Sequence, residues 1–134
     1  MKNCLFCDIQ GDPSRVAKET ELSYASYDHF PVTPRHCLII PKRHIETFFE
    51  LSDIEMVDIK NLINEIRYDI LNKDDTVEGF NIGVNSGKVA GQSIFHLHVH
   101  LIPRRVGDLG YNNDGLPIDP RGGVRGVIPN KRTY

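Results

Sequence analysis

The segment from Ser52 to Asn72 constrains the fold more than any other, because its apolar residues repeat as a long amphipathic helix requires. Ile54, Val57, Leu62, Ile63, Ile66, Ile70 and Leu71 recur mostly at three- and four-residue intervals, with Asp, Glu, Lys and Arg between them. Ser52 followed three residues later by Glu55 forms a capping box, which fixes the helix start. One such helix cannot bury its apolar stripe alone. The rest of the chain must supply a second layer, and its apolar runs read as strands. Glu21 to Asp28 alternates and is rich in aromatics, His36 to Pro41 is a short β-branched run closed by proline, and Gly79 to Asn85 alternates again. The fourth strand, Ile94 to Ile102, is expected to stop at Pro103. Strand, strand, helix, strand, strand predicts an α+β domain with one helix covering one face of an antiparallel sheet. The Ser86–Ser93 connection is too short for a parallel crossover, so its flanking strands should pair as a hairpin.

The ends of the chain are less regular. The turn signal Gly11-Asp12-Pro13-Ser14 permits only a brief element around Cys4–Ile9, a flap on the domain. Beyond Arg104 the sequence holds six glycines, three prolines and no helical period, which predicts an extended tail. With 134 residues the chain suits one compact domain and one active site. A formal net charge of −2 gives no bulk attraction to a polynucleotide, so an anionic ligand must be held locally. No apolar stretch of signal-peptide or membrane-spanning length occurs, and three cysteines are an odd number, so a cytoplasmic protein with reduced thiols is expected.

The fourth strand carries the chemistry. In a strand, residues two apart share a face, so His96, His98 and His100 point one way while Leu97, Val99 and Leu101 point into the core. Three aligned imidazoles can act as nucleophile, as general acid and base, or as zinc ligands. The preceding loop favours the first two roles, because Asn85, Gly87, Gly91, Gln92 and Ser93 offer amide, hydroxyl and backbone donors suited to phosphate oxygens. A phosphate cradle beside an imidazole nucleophile points to nucleotidyl transfer. Cys4-Leu5-Phe6-Cys7 fits the two-cysteine knuckle of a structural zinc site, a pair of reduced thiols, or a redox dithiol. His29 and His36 read as loop and strand-edge residues, and Cys37 as an inert core thiol.

The run His96-Leu97-His98-Val99-His100-Leu101-Ile102 resembles the signature of the histidine triad (HIT) superfamily. Matching segments at Tyr27-Asp28, Leu38-Ile39-Ile40-Pro41-Lys42-Arg43-His44, and Asn85 with Gly91-Gln92-Ser93 extend the resemblance to most of the chain. It implies a domain over 1–105 and a tail over 106–134, packed on the domain or on a partner subunit. The implied fold is a five-stranded antiparallel sheet with one long helix and a short N-terminal helix, in a homodimer whose sheet continues across the subunits. The implied activity is hydrolysis at the α-phosphorus of a purine nucleotide derivative, a dinucleoside polyphosphate or a nucleoside phosphoramidate, releasing a nucleoside monophosphate.

By that resemblance His98 is the nucleophile, His100 binds phosphate, and Ser93 with Gln92 contacts phosphate or leaving-group oxygens. Asn85 and Gly91 lie near the phosphate, Asp28 receives the ribose hydroxyls, and Phe6, Ile9, Leu22 and Ile40 form the base pocket. Some bacterial-type members add a zinc site, here Cys4, Cys7, His44 and His96. Asn85 resembles the phosphoramidase branch, whereas Ile102-Pro103-Arg104-Arg105 resembles the polyphosphate hydrolase branch. A regulatory nucleotide-binding module, or a transferase or phosphorylase, would use similar residues. The glycine- and arginine-rich Pro120–Gly126 is expected to reach the site and set leaving-group preference.

Overall fold

A computed structural model of the chain describes residues 3–133, so Met1, Lys2 and Tyr134 of the two expected segments lie outside the described residues. The elements are α1 (Leu5–Gln10), β1 (Lys18–Glu19), β2 (Ser23–Tyr27), β3 (Cys37–Pro41), α2 (Asp53–Lys73), β4 (Gly79–Gly83) and β5 (Val99–Arg104). The strands form one sheet in the order β1-β2-β3-β5-β4, every neighbouring pair antiparallel. Alternation along the strands gives that sheet two apolar faces. Ala25, Cys37, Ile39, Val99 and Leu101 pack under Ile59, Leu62, Ile66 and Ile70 of α2, while Tyr24, Leu38 and Ile40 pack under Cys4, Phe6 and Ile9. Each valine, leucine, isoleucine or phenylalanine among them contributes about 1.5–3 kcal/mol when fully buried. The short α1 covers only part of its face, and the uncovered part is where a ligand can reach the sheet.

The long helix starts where its capping box says it should. Ser52 Oγ accepts from the Glu55 N–H, and Glu55 returns the bond to the Ser52 N–H at 3.0 Å. The buried stripe is nevertheless Ile59, Leu62, Ile66 and Ile70, whereas Ile54 and Val57 are exposed. At 3.6 residues per turn, Val57 sits roughly 140° around the helix from Leu62, which turns it away from the sheet. Strand β1, two residues long, had no signal in the sequence.

Pro41 closes β3 as its last residue, whereas Pro103 lies inside β5 rather than at its end. Pro103 pairs with Phe80, and β5 continues to Arg104. A residue in an antiparallel strand points its N–H and C=O to the same side. The Pro103 carbonyl accepts from Thr33 Oγ1 at 2.7 Å, on the side where pairing with β3 has already ended, so no ladder bond is lost. Pro41 repeats the arrangement, its carbonyl accepting from His96 rather than from a strand.

The histidine segment itself begins the strand later than expected. Ile94 to His98 is irregular, with pairing only from Val99. Leu97 N–H donates to Ile45 O at 2.7 Å, and the side chains of His96 and His98 take the remaining carbonyls, so these residues are held by loop contacts instead of a ladder. Leu97, Val99 and Leu101 are still buried, so the alternation survives. The tail is folded into turns rather than extended. It carries 3-10 segments at Gly123–Val127 and Pro129–Lys131, and the first packs against β4, with Gly123 close to the Asn81 amide. Among the described residues no helix is long and apolar enough to cross a membrane.

Arg43 ties the β3 end to α2 by donating through Nε and Nη2 to the buried Glu55 carboxylate at 3.1 and 2.7 Å. That pair lowers the Glu55 pKa from 4.5 to about 2. A carboxylate held low in the folded state stabilises it above the unfolded pKa and ceases to do so as the pH falls through the folded one. Glu55→Gln is therefore expected to be less stable than the parent near neutral pH, with the gap closing as pH falls from 4.5 towards 2 in denaturant titrations.

Candidate functional site

Beside α1, where the sheet is uncovered, a cleft of about 500 Å³ opens. Phe6 and Ile9 of α1 and Leu38 of β3 give it an apolar end, and Arg15 and Ser26 also line it. Asp28, just past β2, stands along one side. Asn85, Gly91, Ser93, His98 and His100 close the polar end. Gly91 holds a left-handed φ of 99°, turning the loop so that it passes beside the Asn85 amide.

The hydrogen bonds determine which nitrogen of each imidazole carries the proton. A carbonyl can only accept, so the 2.9 Å contact from His98 Nδ1 to the His96 carbonyl puts the proton on Nδ1 and leaves a lone pair on Nε2. The Phe6 ring packs 4.8 Å from the His98 ring and limits its rotation. His36 Nδ1 accepts from the Val32 N–H at 3.1 Å, so its proton is on Nε2 and is donated to His100 Nδ1 at 2.9 Å. His100 must then carry its own proton on Nε2. Burial lowers the pKa of His36, His98 and His100, the last to about 4 with help from its two imidazole neighbours. Near neutral pH the cleft thus combines an unprotonated nitrogen on His98 with an N–H donor on His100. A phosphorus bearing an anionic oxygen suits both.

Several expected contacts lie elsewhere. Gln92 is buried and turned inward: its Oε1 accepts from the Gly87 N–H and its amide donates to Glu46 O and Ile94 O, so it braces the loop instead of lining the cleft. Leu22 faces a separate groove with Ile54 and Val57 on the opposite side of the sheet edge. Ile40 is fully buried beneath Phe6, a support for the apolar end rather than part of its surface. In contrast His36, read from sequence as a strand-edge residue, is buried against His100, with Asp28 Oδ2 at 3.7 Å. Its position immediately before β3, across the sheet from β5, was the available clue.

His96 faces away from this cleft. Its Nε2 donates to the Pro41 carbonyl at 2.8 Å, so the Nδ1 lone pair points at Cys4 and Cys7 Sγ, 3.4 and 3.5 Å away. His44 Nδ1 lies 3.4 Å from Cys7 Sγ. Tetrahedral zinc separates a thiolate and an imidazole nitrogen by about 3.6 Å. The four donor atoms fall within 4.8 Å of one another, and the donor set suits that metal. Asp28, His36 and His100 also cluster within 4.8 Å. There the imidazole lone pairs already accept hydrogen bonds, so His36 and His100 form a hydrogen-bonded relay with Asp28 beside it.

The HIT domain family model matches residues 10–107, and this chain belongs to the HIT family. Adenosine 5'-monophosphoramidase of Schizosaccharomyces pombe is 36% identical over 122 residues, covering 88% of each chain. Bis(5'-nucleosyl)-tetraphosphatase of the same yeast is 33% identical over 75% of this chain and 54% of its own. Among solved structures, a HIT family member from Bacillus subtilis superposes with a TM-score of 0.72 at 34% identity, over 97% of this chain and 89% of that one. A zinc-bound histidine triad protein from Mycobacterium smegmatis gives 0.69 at 31% identity, over 88% and 84%. The similarity therefore extends to relatives named as nucleotide hydrolases and to a metal-bearing one.

The His36–His100 bond fixes the tautomer of His100, and a hydrogen bond of this kind contributes about 1.5–3 kcal/mol when a charged group is at its far end. His36→Phe is expected to lower kcat about ten- to a hundredfold. His36→Gln, whose amide can still donate to His100, should recover part of the loss. Equal rates in all three proteins would show that the bond has no part in turnover.

Proposed function

We propose that this protein is a hydrolase acting at the α-phosphorus of a purine nucleotide derivative and releasing a nucleoside monophosphate. The observation that carries the reading is the lone pair on His98 Nε2, held toward the cleft by the Nδ1 bond to the His96 carbonyl. Nε2 attacks phosphorus, the bond to the leaving group breaks, and a nucleotidyl-imidazole forms on His98. Water then displaces the imidazole, so one difficult substitution becomes two easier ones. His100 Nε2–H, Ser93 and Asn85 surround the phosphoryl oxygens, where fixed donors stabilise developing charge. Asp28 receives the ribose hydroxyls, while Phe6, Ile9 and Leu38 hold the base. The expected outcome for His98→Ala is loss of turnover by at least about a thousandfold with nucleoside monophosphate binding preserved. Turnover that survives the change would sink the nucleophile assignment.

Between the two substrate classes, a second hollow favours the phosphoramidate. It lies on the other side of His100, has a volume of about 470 Å³, and is walled by Val32, Ile82, Val84 and Ile102 with Val124 and Val127 of the tail. Among the described residues no lysine or arginine lines it, which suits an amine bearing an apolar group better than a chain of anionic phosphates. The tail thereby completes the leaving-group side of the site.

Cys4, Cys7, His44 and His96 would hold a structural zinc ion, which supplies a fixed junction between α1 and the histidine segment. A homodimer joined through β4 is supported by the open edge of that strand and an adjoining apolar groove of about 760 Å³, where Phe48, Phe49, Met56 and Ile82 are exposed. Native mass spectrometry of protein purified without chelator should show a dimer carrying one zinc per chain. Cys7→Ser is expected to lose the metal, and an apo monomer in the parent would overturn both assignments.

A further inference from the structure

One polar group in the cleft has no role in the chemistry above. Arg15 follows the turn after α1 and lines the cleft beside Phe6 and Ile9. Its Nε is buried and has no hydrogen-bond partner. The carboxylate near it in sequence, Asp12, accepts instead from the N–H and hydroxyl of Ser14. A buried donor without an acceptor is costly, and among the described residues no hydrogen bond or ion pair ties the rest of the guanidinium down.

The position of Arg15 identifies which part of a nucleotide it meets. Asp28 marks the ribose, and Ser26, two residues earlier in the chain, also lines the cleft. Two residues of strand span about 7 Å, roughly the reach from the ribose hydroxyls to the outer edge of a purine. Phe6, Ile9 and Leu38 supply the faces between which the ring lies. Arg15 lines the same cleft as these faces and can meet the edge of a ring held between them.

Resting on the hydrolase reading above, we infer that Arg15 reads the base and makes guanine the preferred purine. A guanidinium is a donor only, and its two terminal Nη–H groups form a parallel fork. Guanine offers two adjacent acceptors, O6 and N7, to such a fork. Adenine offers N7 beside the N6 amino group, itself a donor, so one of the two contacts becomes donor against donor. The Ser26 hydroxyl, able to donate or accept, adjusts to either ring. A bidentate contact of this type discriminates between bases by about ten- to a hundredfold.

The test compares guanosine and adenosine 5'-phosphoramidates carrying the same amine, together with GMP and AMP binding by calorimetry. Three proteins are used: the parent, Arg15→Met, which keeps the apolar stem, and Arg15→Lys, which keeps the charge without the fork. In the parent, guanosine should be favoured about ten- to a hundredfold in kcat/KM and GMP similarly in Kd. Both variants should bring the two bases to parity, through KM and not kcat. Cleavage of both substrates with no preference, or a preference that survives in both variants, overturns the base assignment and leaves the hydrolase reading standing. Arg15-dependent preference for GMP without cleavage of either phosphoramidate supports the base assignment while the hydrolase reading falls. Failure to bind either monophosphate removes both.

Discussion

The His96 imidazole is fully buried with both nitrogens committed, and much of the molecule is arranged around it. Its Nε2 holds the carbonyl of Pro41 at the end of β3, and its Nδ1 faces the two thiols of α1. Its backbone carbonyl, in turn, fixes the tautomer of His98. One residue therefore positions a strand end, the short helix over the face that bears the cleft, and the unprotonated Nε2 of His98. Because α1 also carries Phe6, the apolar wall of the cleft and the cysteine pair are one rigid unit. Whatever shifts the cysteines shifts the ring packed on His98.

Much of this was legible in the sequence because it rests on short-range rules. The capping box at Ser52 and Glu55 fixed the start of α2, and the period of two placed His98 and His100 opposite Val99 and Leu101. The four donors of the Cys/His cluster were readable from motif resemblance and are brought together by the fold. What escaped depends on contacts between residues distant in the chain. His36 looked unremarkable until β3 and β5 were laid side by side, since its partner is 64 residues away. Gln92 had the polarity of a phosphate ligand, yet the Glu46 carbonyl claims its amide. The irregular backbone before Val99 was hidden for a related reason. The sequence pattern shows which side chains are buried, and burial here survives without strand pairing.

The same division applies to the two prolines within the sheet. Proline in a strand normally signals an edge or an end, because it removes a ladder donor. Pro41 and Pro103 sit beyond the reach of a neighbouring strand on the side where their nitrogens face, so the inferred stop holds at Pro41, which ends β3, and fails at Pro103, where β5 runs on to Arg104. Each proline carbonyl is then free to accept from a side chain. Those acceptors are what bring His96 to β3 and Thr33 to β5.

The relay from Val32 through His36 to His100 has a direction. Each link donates toward the cleft, and the first donor is a peptide N–H, which does not ionise at any pH the fold survives. A proton arriving at His100 has no exit at the far end and can leave only by the way it came. The three groups thus behave as a fixed electrical pole rather than as a conduit. In the hydrolysis proposed above, any proton the departing group requires is then brought by the substrate or by solvent, and the protein's part is to hold that pole in place.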